Sequence, residues 1–538
     1  MAHIELLLLL LLSAVALGWV ARHFHFPYPI ALVAGGVALG LVPQLPQHDF
    51  DPQLVLVVVL PPILYQAALL TSWTDFKAHL RPIGLLAIGL VTATTLAVGA
   101  TLKLLVPDVP WAAAFVLGAI VSPPDAVAAT TILSRLSIPR RIVTILEGES
   151  LVNDASGLVL YKFAVAAVLT GAFSLMDAAV QFAVVSVGGI AIGVALAFVY
   201  IAVHKRLGDP FIEVLTVLTI PYAAYLAAES LGTSGVLAVV AAGLVRGRYA
   251  PEIVSAEMRI MARSVWNILV FLLNSLVFIL IGLQIRSVVE SLGQYPGTLL
   301  AVIALAVTGA AVVVRFAWVY AVGLLPGGFG GTREEAPRPR ELTIMGWCGM
   351  RGIVSLAAAL ALPLTLPGGQ PFPFRGLIIF TTFIVIVATL VGQGLTLAPV
   401  IRRLKVGTKW RLQDEQVRVR AAMSSAALAA IDRLAAEESV PADWAQPLRT
   451  EIGERILLGA AKGHELTPKL EWVTRLRHAV IRAERAELIR LWQENQIGDE
   501  VMHHMMELLD YEQAHLPAHA VNAPGSATQS RRSSPTLP

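Results

Sequence analysis

Residues 147–157 read Glu-Gly-Glu-Ser-Leu-Val-Asn-Asp-Ala-Ser-Gly, an unusual concentration of oxygen-bearing side chains inside an apolar run. On a helix, Glu149 and Asn153 fall at i,i+4 on one stripe, and Ser150 and Asp154 fall on the stripe beside it. Hard alkali cations take oxygen ligands, so the Asp154 carboxylate and the Ser150 hydroxyl begin a shell of the right chemistry. The plainer reading is a polar helix end at which Ser and Asp merely cap. That reading suits Glu147. It does not suit Asp154, because mostly apolar sequence runs on to about residue 170.

A charge at mid-bilayer costs at least about 2.5–3.5 kcal/mol, so an ionisable residue within a span is a functional candidate. Besides the stretch above, these are Asp125, Lys162, Glu213, Arg315 and Arg351. Asp125 ends the run Ser122-Pro123-Pro124-Asp125. Two consecutive prolines remove two backbone donors and crowd the preceding turn, so a helix must kink or break there. A break at membrane depth lines a polar cavity, and its freed carbonyls can bind cations. A second interruption, Gly346-Trp347-Cys348-Gly349-Met350-Arg351-Gly352, places a lone Arg351 among glycines. Two interrupted spans, one in each half of the chain, point to inverted repeats whose broken helices cross near the midplane. At such a crossing Asp125 faces helix N-termini and Arg351 faces C-termini. Arg315, deep in Val312-Val313-Val314-Arg315-Phe316, needs an acidic partner, and Glu149 is the evident candidate. Lys162 and Glu213 lie nearer span ends and read as snorkelling residues. The histidines fall in loops, at termini or in the charged C-terminal part, so none is an intramembrane proton carrier.

The elements that must carry these residues are helices. The chain is 56% hydrophobic and 14% charged, with a mean hydropathy of +0.71. That places it well outside soluble globular composition. Apolar runs of about 17 residues or more recur to about residue 402, giving about thirteen transmembrane helices. The fifth (111–133) and sixth (143–170) hold the two stretches first described; Arg315 lies in the eleventh (297–325) and Arg351 in the twelfth (342–363). Basic residues crowd the loops after odd-numbered spans: Arg22, Lys77, Arg81, Arg135, Arg140, Arg141, Lys205, Arg206, Arg246, Arg248, Arg259, Arg263, Arg333, Arg338 and Arg340. The other loops carry Arg286 and Arg375, with Lys103 just inside a span. This asymmetry orients the N-terminus outside and the C-terminus in the cytoplasm. The first apolar block lacks a preceding Lys or Arg and a clear cleavage site, so it reads as a span and not a leader. Residues 1–404 form the transmembrane domain. Residues 405–515, charged and periodic, read as a cytoplasmic helical domain, and 516–538, rich in Pro, Ser, Ala and Arg, as a disordered tail. Cys348 is the single cysteine, which excludes intrachain disulfides and cysteine metal clusters. The net charge of +3 gives no sign of a nucleic-acid partner. The fold class is all-α and polytopic.

The motifs resemble those of family 1 of the monovalent cation:proton antiporters, the bacterial branch of the Na+/H+ exchangers. The matching stretches are residues 60–65, Ser122 through Asp125, Glu147 through Gly157, Tyr225 through Glu229 with Ser234-Gly235, Asn274 through Gly282, and Arg351-Gly352. The resemblance implies a homodimer of thirteen-span protomers in a bacterial inner membrane. Each protomer would have a core and a dimerisation domain, move as an elevator and serve pH homeostasis. It implies a Na+ site formed by Asp154, Ser150, Asp125 and the Pro124 carbonyl beside Asn153, and a structural pairing of Glu149 with Arg315. An Asn-Asp pair, in place of Asp-Asp, marks the branch that is usually electroneutral. Two positions depart from the pattern. Pro124-Asp125-Ala126 stands where Thr-Asp-Pro is common, and Gln66 stands where some members carry a carboxylate, which leaves the choice among Na+, Li+ and K+ open.

The chemistry follows without the family. A carboxylate taken out of water stands bare at high cost, so proton and cation compete for Asp154. If the loaded carrier crosses only when that charge is neutralised, strict exchange results. No cofactor is called for. The alternatives on such a scaffold are a cation channel or a cation-coupled uptake carrier. An intramembrane enzyme would need a nucleophile with its base or a set of metal ligands, and neither is evident.

Overall fold

A computed structural model describes residues 2–24, 28–42, 55–133, 138–171, 175–254, 256–284, 295–325, 329, 337–367 and 369–406. In the C-terminal part it describes 422–433, 480–491 and short pieces between 445 and 512. The expected disordered tail, 516–538, and Arg135, Arg286 and Arg333 lie outside the described residues. The chain divides into two compact units, 1–407 and 408–538.

In the first unit the helices are α1 (Ala2–His23), α2 (Tyr28–Gly40), α3 (Leu60–Leu70), α4 (Trp73–Ala78), α5 (Leu80–Gly84), α6 (Val91–Leu105), α7 (Trp111–Val121), α8 (Ala126–Leu133), α9 (Arg140–Thr170), α10 (Leu175–His204), α11 (Pro210–Ser230), α12 (Gly235–Ile253), α13 (Ala256–Leu283), α14 (Gly297–Leu324), α15 (Pro339–Trp347), α16 (Ile353–Leu360) and α17 (Arg375–Leu404). Among the described residues the only β pairing is an isolated bridge, Thr365 with Pro371, so the fold is all-α. Seven helical stretches among the described residues are long and apolar enough to cross a membrane, and shorter apolar helices include Tyr28–Gly40 and Trp111–Val121. Helices α12 and α13 outrun the apolar segments expected of them. Arg246, Arg248, Arg259 and Arg263, expected in a loop, are therefore helical, and Arg246 is buried.

Local chemistry sets the helix ends. Asp209 caps α11 by accepting from the Phe211 and Ile212 amides at 2.8 and 3.1 Å, with Pro210 in the first turn, where its missing donor costs nothing. Ser234 caps α12 through the Leu237 amide at 3.2 Å. Gly171, at φ +70°, closes α9 in the left-handed conformation that glycine adopts without strain. Between α5 and α6, Leu85–Leu90 widen into a π-helix. Trp318 Nε1 donates to the Leu85 carbonyl at 3.0 Å, and the Ser156 hydroxyl donates to the Ala87 carbonyl. Side chains from α14 and α9 thus serve carbonyls that the regular ladder would have used.

Helices α3, α10, α11 and α12 share one core, around Tyr65, Ala68, Val239 and Ala242. Helices α6, α7, α14, α16 and α17 share another, around Val98, Leu117, Val307 and Ile378. Helix α9 joins both: Leu151 and Ala155 enter the first, and Tyr161 and Ala164 enter the second. Packed on two cores, this helix carries the polar stretch between them, with Glu149, Asn153 and Asp154 buried. Backbone meets backbone at several crossings. A Cβ on Gly36 of α2 would overlap the Ile279 carbonyl of α13, one on Gly118 of α7 the Thr95 carbonyl of α6, and one on Gly193 of α10 the Ala238 carbonyl of α12. Small residues permit such contacts between membrane helices.

In the second unit, the helix at 480–491 carries Arg490, which donates to Glu487 at 2.9 Å and to Glu494 at 2.6 Å. These are exposed i,i+3 and i,i+4 pairs of modest worth.

Candidate cation site

Asp154 sits at the middle of α9, which runs from Arg140 to Thr170, and it is 7% exposed. Ser150 lies one turn earlier and is partly buried. Asp125 follows Pro124, whose carbonyl is bonded by Asn153, the residue before Asp154. The site therefore brings two carboxylates and a hydroxyl to one depth of the bundle. Among the described residues no basic side chain is ion-paired to Asp154, and none form a cluster of three or more His, Cys, Asp or Glu able to hold a metal.

The neighbouring stripe of α9 is engaged elsewhere. Arg315 Nη1 donates to Glu149 Oε1 at 2.6 Å and Nη2 to Oε2 at 3.0 Å, with both side chains 1% exposed. Arg315 Nε donates to the Met345 carbonyl at 3.1 Å. This fork satisfies both oxygens of the carboxylate, the geometry a buried ion pair requires. Asn153 shares the stripe of Glu149, but the structure turns its amide toward the break. Its Nδ2 donates to the Pro124 carbonyl at 3.2 Å, because the Pro-Pro interruption leaves that oxygen facing α9. Its Oδ1 is buried without a hydrogen-bond partner.

Both interruptions are present, and they touch. Helix α7 stops at Val121 and α8 starts at Ala126, while α15 stops at Trp347 and α16 starts at Ile353. The Asp125 amide donates to the Met350 carbonyl at 2.7 Å. A Cβ on Gly352 would overlap Asp125 Oδ2, so the carboxylate rests against the first residue before α16. Arg351 is 1% exposed. It donates through Nε to the Val121 carbonyl at 2.9 Å and through Nη1 to the Gly349 carbonyl. A carboxylate thus lies at the start of α16 and a guanidinium at the end of α7, each opposite in sign to the local helix dipole.

Lys162 pairs with Glu229 at 3.0 Å and remains 57% exposed. Glu213 differs from its reading as a snorkelling residue. It is buried, with His204 Nε2 3.5 Å from its Oε2, because the tight α10–α11 turn folds the two helix ends together. Two residues that nothing in the sequence pattern singles out also take part: Thr389, whose hydroxyl accepts from the Arg351 amide at 3.1 Å, and Ser156, whose hydroxyl donates to the Ala87 carbonyl.

Broken helices that meet at mid-depth, with acidic and hydroxyl groups at the meeting point, mark a polytopic membrane transporter. A family model described as the transmembrane sodium/hydrogen exchanger matches residues 8–403. An uncharacterized Na+/H+ exchanger of Mycobacterium tuberculosis is 36% identical over 519 residues, covering 94% of this chain and 95% of that protein. A sodium, potassium, lithium and rubidium/H+ antiporter of Bacillus subtilis is 37% identical over 403 residues, 72% of this chain and 60% of its own length. The sodium proton antiporter MjNhaP1 of Methanocaldococcus jannaschii shares the fold, with a TM-score of 0.61 at 19% identity over 75% of this chain and 99% of that one. The chain belongs to the sodium/hydrogen exchanger family. It is accordingly a multi-pass cation/H+ antiporter and not an enzyme.

Proposed function

We propose that the protein exchanges a monovalent cation, Na+ first and Li+ or K+ as alternates, for H+ in a one-to-one, electroneutral cycle, with both ions competing for Asp154. The observation that carries this reading is the division of labour on α9. Glu149 is neutralised by Arg315 and the Asn153 amide is held by the Pro124 carbonyl. Asp154 is then the mid-helix carboxylate left to exchange its ligand. Ser150, Asp125 and the remaining lone pair of the Pro124 carbonyl complete an oxygen shell of the kind alkali cations take. The protein cycles by alternating access as a homodimer of thirteen-span protomers in the bacterial inner membrane. The N-terminus is outside and residues 405–515 form a cytoplasmic domain; the charge bias of the loops supports this orientation. The cation range in the name of the Bacillus relative supports a site not confined to Na+.

The test is purified protein in liposomes, with proton movement followed against imposed Na+, Li+ and K+ gradients. Proton flux opposite to the cation, independent of membrane potential, is expected. Cation flux without proton counterflow indicates a channel, and flux in the same direction an uptake carrier; either ends the reading.

A further inference from the structure

Asp125 is placed by the segment across from it, twice over. Its amide donates to the Met350 carbonyl at 2.7 Å, and its carboxylate lies against Gly352. The residue between these two anchors is Arg351, whose own amide has left the helical ladder at the α15–α16 break. That amide donates to Thr389 Oγ1 at 3.1 Å. Thr389 is 1% exposed, and its hydroxyl proton is directed up its own helix to the Val385 carbonyl at 2.7 Å. The oxygen lone pairs are therefore what it offers to Arg351. Helix α17 is unbroken from Arg375 to Leu404 and packs on α7, α8, α15 and α16. It is the continuous element against which both interruptions are registered.

We infer that Thr389 is a positioning residue for cation binding: it fixes the 350–352 segment, and through it the height of Asp125 beside Asp154. The inference rests on the reading of Asp125 as part of the cation site. Valine has threonine's shape without its acceptor, so Thr389→Val leaves a buried amide unsatisfied and frees the segment to shift. Serine keeps the acceptor and restores the bond.

The readout is Na+ affinity of the purified full chain, from the Na+-dependent rise in unfolding temperature with choline as control. It is paired with half-saturating Na+ and maximal rate in liposomes. Thr389→Val should weaken Na+ affinity about tenfold, with maximal rate little changed, and Thr389→Ser should match the parent. Thr389→Ala, which lacks the acceptor without added bulk, stands in if the valine variant does not fold. In an Asp125→Asn background the Thr389 substitution should add little, since residues acting through one another are not additive. Unchanged affinity in Thr389→Val, equal loss in Thr389→Ser, or a full additional loss in the Asp125→Asn background overturns the inference. Unchanged affinity in Asp125→Asn alone overturns instead the reading on which it rests.

Discussion

Helix α9 carries two ion pairs that look alike in sequence and differ in everything that decides their worth. Glu149 meets Arg315 with both partners 1% exposed and both carboxylate oxygens engaged. Lys162 meets Glu229 with its side chain 57% exposed. In the first pair, loss of one partner strands a charge in a dry interior. In the second, water or lipid headgroups replace whichever partner is lost. Asp154 lies between them along the helix, with Lys162 about 12 Å further on at the 1.5 Å helical rise. A buried carboxylate on this helix is either permanently answered, as Glu149 is, or left to exchange ligands, as proposed for Asp154.

The comparison can be broken at four points. Asp154→Asn is expected to abolish exchange while the protein still folds; exchange by the purified variant in liposomes would return the role to another carboxylate. Arg315→Ala or Glu149→Gln should destabilise by about 3–5 kcal/mol, whereas replacing both by leucine should recover most of that loss. Thermal unfolding in detergent measures this, and equal loss in single and double variants would mean the pair is worth more than its burial cost. Gly352→Ala pushes a methyl group into the space of Asp125 Oδ2. It should cost on the order of tenfold in Na+ affinity with the Glu149–Arg315 pair untouched. Lys162→Gln should change stability by about 0–1 kcal/mol and leave the exchange rate within a factor of about two; a larger drop would show that the exposed pair does more than solvate.

The features legible in the chain are those with a high cost in lipid. Glu149, Asp154, Arg315 and Arg351 stand out because a charge in hydrocarbon must have a reason, and Pro123-Pro124 because no helix passes through it unbroken. Helical repeats of apolar residues reveal the all-α class for the same reason. What stayed hidden is cheap or remote. Thr389 in a membrane helix normally bonds its own preceding turn, so nothing in its type announces a second partner 38 residues away. The π-helix at Leu85–Leu90 depends on Trp318 and Ser156, 233 and 69 positions away, and its own residues are ordinary. The burial of Glu213 and His204 is not legible because burial at a helix end depends on how two helices close, which no periodicity encodes. Asn153 shares a stripe with Glu149, and its bond to the Pro124 carbonyl depends on the break across from it, which stripe geometry does not encode.

The glycine crossings carry a mechanical consequence. Where Gly36 lies on the Ile279 carbonyl, or Gly193 on that of Ala238, no side chain intervenes to swivel, and axial slip drives backbone directly against backbone. Such seams resist shear as welds do. The α2–α13 pair, the α10–α12 pair of the first core and the α6–α7 pair of the second should each travel as a rigid strut. Any sliding that carries an ion across the membrane is then confined to surfaces padded by long side chains.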